Sequence, residues 1–141
     1  MWLVDTNVLL YAVNRTSPHH VASRTWLDDS LGGSVPVGLA WSALLAFLRV
    51  STHRTAFESP LTVDEAGHQL RSWLSAPASL VLEPSTRHGD LLVGLLEGAG
   101  TAGNLVQDAH LAALATEHSA TVVTFDTDFL RFAGVRTHRP A

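Results

Sequence analysis

The chain contains no cysteine and no lysine, and all nine of its basic residues are arginines. The lack of cysteine excludes disulfides, thiolate zinc sites and thiol nucleophiles, and it fits a reducing compartment. The lack of lysine excludes the phosphate-binding lysine of a P-loop, a Schiff-base lysine and the switch lysine of a response regulator. Several common classes of enzyme are therefore ruled out before any motif is considered.

Basic charge and long hydrophobic runs are also scarce. The formal net charge is −4, so the chain lacks the basic excess of a protein that binds nucleic acid mainly by neutralising phosphates. The longest apolar stretch, residues 35–48, is too short and too often interrupted to cross a bilayer. No basic residue precedes an apolar segment at the start of the sequence, which argues against a signal peptide. We expect a cytoplasmic protein that makes no contact with a membrane.

The apolar residues that are present fall into short runs typical of buried strands. With 141 residues, 46% of them hydrophobic, the chain is long enough to bury roughly 68% of the surface that it exposes when unfolded. We expect a single domain over residues 1–141. Its strands are predicted at residues 2–4, 35–40, 79–82 and 121–125, with a further short strand within 134–138.

The segments between these strands carry helical signals. Ser17-Pro18 supplies an N-cap and a proline at the first helical position, and Thr62 with Glu65 has the spacing of a capping box. Asn104 with Gln107 is predicted to cap a later helix. Helices are expected at residues 8–13, 18–31, 42–53, from 63 past 74, 90–97 and 105–118. Because parallel neighbouring strands need helical crossovers, the alternation predicts a three-layer α/β/α fold with a mostly parallel central sheet.

Four aspartates lie where a strand ends or a helix begins: Asp5, Asp108, Asp126 and Asp128. Ligands of open α/β sheets bind beyond the carboxyl ends of the strands, which is where Asp5 and Asp126 are expected. Asp108 falls in the first turns of a helix, where the helix dipole favours an ionised carboxylate. Carboxylates gathered in this way repel one another unless a cation joins them. An all-oxygen ligand set selects Mg²⁺ or Mn²⁺, which polarise phosphoryl oxygens and activate bound water.

The same aspartates also have a purely structural interpretation. An isolated Asp after a strand is commonly a helix N-cap or a turn former, because its side chain satisfies free backbone N–H groups. Asp128 in particular suits such a role at the start of a short helix that runs through Phe132.

Three motifs occur in a fixed order along the chain: Val4-Asp5-Thr6-Asn7, residues 104–115 and residues 124–129. Together they resemble PIN-domain ribonucleases, most closely the VapC-type toxins of bacterial toxin–antitoxin pairs, and the similarity spans the whole chain. The resemblance implies a PIN-like fold and an endoribonuclease that hydrolyses RNA with Mg²⁺ or Mn²⁺. It further implies a cognate antitoxin protein that keeps the enzyme silent, and usually a homodimer.

The resemblance also assigns the acids. Asp5 is implied as the first ligand carboxylate, Asp108 as the third and Asp126 as the fourth, with Asp128 an accessory ligand or a structural acid. The second acid of the family is often a Glu three residues before an Arg, but this chain has Ala46 three residues before Arg49. Since alanine cannot bind metal, we expect one dominant ion rather than two.

Other residues are candidates for supporting roles. Thr6, Asn7, Asn104 and Thr124 are predicted to hydrogen-bond the ligand carboxylates or their water, although Thr is also a common strand residue. Arg49 and Arg15 are candidates for contacts with RNA phosphates, although surface arginines are more often simply solvated. The eight histidines show no paired metal-ligand spacing and are expected at the surface or in the core.

Two other enzyme classes fail on the sequence. Asp126-Thr-Asp128 suggests a haloacid-dehalogenase type of phosphotransferase, but that chemistry needs the pair after the first strand and a later lysine. A receiver domain fails because the lysine is missing. The remaining alternative is a PIN-like domain that has lost efficient catalysis with its second acid and acts by binding RNA or an antitoxin.

Overall fold

Five short parallel strands form the central sheet. The computed structural model describes residues 1–141 and arranges the strands in the order β3-β2-β1-β4-β5, with every neighbouring pair parallel. The strands are β1 (Trp2–Val4), β2 (Val37–Leu39), β3 (Ser79–Val81), β4 (Thr121–Val123) and β5 (Thr137–His138). The predicted α/β/α fold is confirmed, and the sheet proves to be entirely parallel.

Six α-helices and two 3₁₀ helices cover the sheet. The α-helices are α1 (Thr6–Val13), α2 (His20–Leu31), α3 (Trp41–Ser51), α4 (Val63–Ser75), α5 (His88–Ala99) and α6 (Val106–His118). The 3₁₀ helices lie at Gly103–Leu105 and Thr127–Arg131. None of these helices combines the length and the apolar character that a membrane crossing requires.

The sheet separates two hydrophobic cores. Residues of α1 to α4 pack on one face, and residues of α5, α6 and the second 3₁₀ helix pack on the other. Successive residues of a strand point to opposite faces. Accordingly, Leu3 lies in one core and Val4 in the other, and Val122 and Val123 divide in the same way. The inner strands β1 and β4 carry apolar residues at consecutive positions because both of their faces are buried.

The predicted capping box is confirmed. The Thr62 hydroxyl accepts a hydrogen bond from the Glu65 N–H at 3.1 Å, and the Glu65 carboxylate accepts one from the Thr62 N–H at 3.0 Å. Each side chain thus satisfies a backbone donor that the first turn of α4 leaves free.

The other two predicted helix starts are wrong. Helix α2 begins at His20, because the Ser17 hydroxyl and carbonyl accept hydrogen bonds from the N–H groups of His19 and His20 and close a turn before the helix. Asn104 does not cap α6: it is exposed within the first 3₁₀ helix, and Leu105 precedes α6 without a side-chain cap. Gly103, at φ 56°, adopts a conformation open mainly to glycine and starts the chain into this tight turn instead.

Candidate active site and metal centre

The acidic residues meet at the carboxyl ends of β1 and β4. These strands are direct neighbours, and the Asp5 N–H donates to the Val123 carbonyl at 3.0 Å, which fixes the chain just beyond both strands. Asp126 follows β4 after a two-residue turn, and Asp108 comes from the first turn of α6. Three separate elements therefore bring acidic side chains to one edge of the sheet.

Asp108, Asp126 and Asp128 form the tightest group. Each offers a carboxylate oxygen that lies within 4.8 Å of the others. Asp108 and Asp126 are half-buried, whereas Asp128 is exposed. Oxygens at such separations can share one small cation.

Asp5 lies beside this group in the same cleft and is only 6% exposed. One of its oxygens accepts the Thr6 N–H at 2.7 Å, and the other accepts the Thr124 hydroxyl at 2.7 Å and the Asn7 amide at 3.1 Å. Burial raises the pKa of Asp5 above its ordinary value, while these hydrogen bonds act in the opposite direction. The donors hold the carboxylate in one orientation.

The pKa of Asp108 is strongly raised by its surroundings in the cleft. Burial, which is the largest cause, and the neighbouring charges of Asp5, Asp126 and Asp128 together raise the pKa of Asp108 to about 7. Two ion pairs occur in the protein, Arg24 with Asp28 and His88 with Glu117, and neither involves these acids. The protein thus gathers these acids without an ion-pair partner for any of them, a pattern that marks functional sites.

The residues present fit a hard divalent cation. The cluster offers carboxylate oxygens only, and no histidine or cysteine belongs to it. Mg²⁺ and Mn²⁺ prefer such ligands, whereas zinc prefers nitrogen and sulfur. A bound cation would also relieve the repulsion that raises the Asp108 pKa.

Thr124 and Asn7 connect the acids to one another. The Thr124 hydroxyl donates to Asp5 and accepts the Asp126 N–H at 2.9 Å, and the Asn7 amide donates to Thr124 at 3.2 Å. Thr6 contacts Asp5 through its backbone N–H rather than its hydroxyl. Asn104 is exposed and makes no hydrogen bond to any of the acids.

The helix-capping role considered for Asp128 is filled by Asp126. Asp126 is the N-cap of the 3₁₀ helix Thr127–Arg131, and its carboxylate accepts the Asp128 N–H at 2.8 Å. The cap fixes the orientation of Asp126 and leaves the Asp128 carboxylate free of hydrogen bonds from the protein.

Helix α3 forms one wall of the cleft, which encloses about 710 Å³. Ser42, Ala46 and Arg49 all line it, as expected for positions four and three residues apart on one helix face. Ala46 places a methyl group where a second acid is common, and Arg49 is exposed without an acidic partner. The Ser42 hydroxyl is buried without a hydrogen-bond partner. Sequence analysis missed Ser42, although its position one helical turn before Ala46 was an available signal.

Arg15 lies away from the acids. It lines a separate groove between α1, α2 and α4, together with residues such as Arg24 and Gln69. Among the histidines, His88 and His110 hydrogen-bond each other at 2.9 Å and join α5 to α6 outside the acidic cleft. Burial, together with the nearby His88, lowers the pKa of His110.

A parallel sheet in this strand order, with acids converging beyond β1 and β4, agrees with the PIN-like fold that the resemblance implied. The family model described as PIN domain matches residues 2–135.

Relatives and solved structures agree with this assignment. Ribonuclease VapC37 of Mycobacterium tuberculosis is 51% identical over 140 residues, which cover 99% of this chain and 97% of the relative. Ribonuclease VapC33 of the same species is 39% identical, with 99% and 98% covered. The structure of VapBC2 from Rickettsia felis, bound to a promoter DNA fragment, contains a chain with a TM-score of 0.71 and 22% identity, with 99% and 98% covered. This protein belongs to the PIN-domain family and, within it, to the VapC ribonucleases, which are toxins of toxin–antitoxin systems.

Proposed function

We propose that this protein is an endoribonuclease that hydrolyses RNA phosphodiester bonds with Mg²⁺ or Mn²⁺, as a single domain over residues 1–141. The observation that carries the proposal is the group formed by Asp108, Asp126 and Asp128, whose oxygens lie within 4.8 Å of one another. The raised pKa of Asp108 supports it, because neighbouring acids contribute to the shift and no ion pair within the protein involves any of them.

Each acid has a proposed role. Asp108, Asp126 and Asp128 would hold the ion, as the short separations of their carboxylate oxygens support, and Asp5, which the resemblance implied as the first ligand carboxylate, would join them from the end of β1. A bound Mg²⁺ or Mn²⁺ supplies a Lewis acid for the phosphoryl oxygen and lowers the pKa of bound water. Thr124 and Asn7 keep Asp5 in place, and Arg49 binds a phosphate of the RNA backbone across the cleft.

The proposed partners are RNA, a cognate antitoxin protein and a second copy of this chain. Membership of a toxin–antitoxin family supports the antitoxin. Exposed apolar side chains support a homodimer, since Leu45 on α3 is 58% exposed and Val93 on α5 is 52% exposed. An RNA substrate in turn fits the cytoplasmic location expected from the sequence.

The test uses the purified protein, free of antitoxin, with structured RNAs and either Mg²⁺ or Mn²⁺. We expect cleavage that leaves 3′-hydroxyl and 5′-phosphate ends, because water rather than the ribose 2′-hydroxyl attacks. Asp126→Asn and EDTA should each abolish it, whereas Asp64→Asn, at an exposed acid in the first turn of α4, should leave it unchanged. Cyclic phosphate products, or cleavage that resists EDTA, would contradict the proposal.

A second function is favoured by one specific observation, the presence of Ala46 on the cleft wall. In this second function, the protein binds RNA or its antitoxin but does not cleave RNA efficiently. Tight RNA binding by the wild-type protein, with no cleavage under any metal condition, would support this alternative.

A further inference from the structure

A cluster of aromatic rings and one arginine lies beside the acidic cleft. We call Tyr11, His19, Phe125 and Arg139 the stacking wall. Phe125 immediately precedes Asp126, and Arg139 immediately follows β5, whose register pairs His138 with Val123. Since β4 and β5 are parallel, Arg139 leaves the sheet at the same edge as the acids. The stacking wall and the acidic cleft are therefore neighbours on one surface.

Phe125 is the centre of the stacking wall. The His19 ring stacks on it with centroids 4.4 Å apart and an angle of 27° between the planes. The Tyr11 ring meets it edge-on at 5.3 Å, and the Arg139 guanidinium carbon lies 5.0 Å from its centroid. Arg139 is exposed, and the three rings are only partly buried.

The polar ends of the stacking wall have no partner within the protein. Neither ring nitrogen of His19, nor the Tyr11 hydroxyl, nor the Arg139 guanidinium makes a hydrogen bond or an ion pair. The aromatic pair of Phe47 with Trp73 is different, because both of its rings are buried in the core. An accessible ring cluster with free donors and acceptors is suited to binding a planar, polar ligand.

One side chain fixes the stacking wall relative to the acids. The Asn7 carbonyl oxygen accepts the Phe125 N–H at 3.3 Å, while the Asn7 amide nitrogen donates to Asp5 at 3.1 Å. A ligand group bound at the stacking wall therefore lies at a fixed distance from a group bound by the acids.

We propose that the stacking wall binds an unpaired nucleobase of the RNA beside the phosphodiester that is cleaved. This inference rests on the proposed ribonuclease function. Unpaired RNA bases stack on aromatic rings and on guanidinium planes, which are the two kinds of surface present here. The free nitrogens of His19 can contact the edge of the base, and Arg139 can also bind the adjacent phosphate. The adjacency of Phe125 to Asp126 favours RNA over a protein ligand, because nucleotides that flank the bound phosphate must lie along this edge.

The test measures base stacking separately from cleavage. In an Asp108→Asn background, single-stranded RNA oligomers carrying 2-aminopurine at each position in turn are bound, and the quenching of its fluorescence is followed. We expect strong quenching at one or two positions, lost on His19→Ala and on Phe125→Leu. Affinity for the intact oligomer should fall about tenfold for Arg139→Gln, whereas the same substitution should lower it less for an oligomer that is abasic at the quenched positions, because the stacked base is then absent. His68→Ala and Arg71→Gln, at exposed positions on α4, are the matched controls.

The possible results of these experiments distinguish base binding by the stacking wall from the alternatives. Equal quenching and affinity in the stacking-wall variants and the controls would overturn the proposal. Unchanged RNA binding combined with escape from inhibition by a co-expressed antitoxin would assign the stacking wall to the antitoxin instead. Failure of the wild-type protein to cleave RNA would count against the ribonuclease function alone, because quenching does not depend on cleavage. Melting curves of each variant show whether Phe125→Leu has unfolded the protein, and His19→Ala tests the same stack from the other ring.

Discussion

Asp5 and Asp108 are the same residue type at the same edge of the sheet, yet their surroundings differ. Asp5 receives three hydrogen bonds from the protein, which compensate part of the cost of burying its charge. Asp108 has no such donors and faces three other acids, and burial with that repulsion brings its pKa to about 7. Hydrogen bonds therefore hold the Asp5 carboxylate in place, while a cation that enters the cleft would lower the pKa of Asp108.

The Asp108 pKa predicts how metal binding depends on pH. The ion needs the ionised carboxylate, so protons compete with it below about pH 7. We expect the apparent affinity for Mn²⁺ to rise about tenfold per pH unit up to that point and then to level off. Calorimetric titration with Mn²⁺ from pH 5.5 to pH 8.5 measures this, and an affinity that stays constant over the range would be contrary to expectation.

The same pKa predicts how the stability of the metal-free protein depends on pH. Because the folded-state pKa lies above the ordinary value of 3.8, the protonated form is favoured on folding, and stability falls as the pH rises toward about 7. Asp108→Asn should remove much of that fall and raise the Tm in EDTA at pH 8. Asp64→Asn is the control, and a fall that is equally steep in both variants would exclude Asp108 as its cause.

Ala46 offers a test of the missing acid. It lines the cleft on the wall formed by α3, so Ala46→Glu should add a ligand carboxylate there. We expect tighter Mn²⁺ binding, by about tenfold or more, or a second bound ion per chain, both visible by calorimetry. Val63→Glu, at a position of α4 that is exposed and outside the cleft, should change neither. An unchanged titration of Ala46→Glu would mean that position 46 lies beyond reach of the ion.

At the level of elements, particular residues explain which features could be predicted. Trp2, Leu3 and Val4 are apolar at consecutive positions, which reveals a strand buried on both faces, and Asp5 marks its carboxyl end. Ser17 and Asn104 do not cap helices, because turns closed by the His20 N–H on the Ser17 carbonyl and by the Leu105 N–H on the Ala102 carbonyl precede α2 and α6. Local sequence patterns predict the helices and strands. Which of two competing turns forms, however, depends on the rest of the folded chain.

Gly38 in β2 tests how closely the elements pack. A Cβ added there would meet the Leu82 side chain at 2.5 Å and the Trp2 carbonyl oxygen at 2.8 Å. Gly38→Ala should therefore lower the free energy of unfolding by about 1–3 kcal/mol, through strain between β1, β2 and the residue after β3. Urea unfolding measures this change.

The matched control is Gly94 in α5, where an added Cβ meets nothing within 4 Å. Gly94→Ala should raise the free energy of unfolding by about 0.5–1 kcal/mol, because alanine loses less conformational freedom in a helix. Equal effects of the two substitutions would contradict the close approach of β1 and β2 at Gly38.

For the whole molecule, the shared position of the acids depends on contacts between distant parts of the chain. Sequence order indicated that Asp5 and Asp126 would follow neighbouring strands, but the raised pKa of Asp108, the unpartnered Ser42 and the stacking wall arise from tertiary packing. Because the acids repel one another in the folded state only, an ion that joins them must favour folding.

Metal should therefore stabilise the entire fold. Mn²⁺ at about one hundred times its dissociation constant is expected to add about 2.7 kcal/mol to the free energy of unfolding, and EDTA should reverse the gain. Thermal melting with and without Mn²⁺ measures it. Asp126→Asn should lose most of the gain while Asp64→Asn keeps it, and equal gains in these two variants would place the ion elsewhere.

The hydrogen bond between Asp5 and Thr124 joins residues 119 positions apart. During synthesis on the ribosome, Asp5 emerges before Asp108, Thr124 or Asp126 has been translated. A nascent chain therefore cannot assemble the acidic group until residues 108–128 have been added to it.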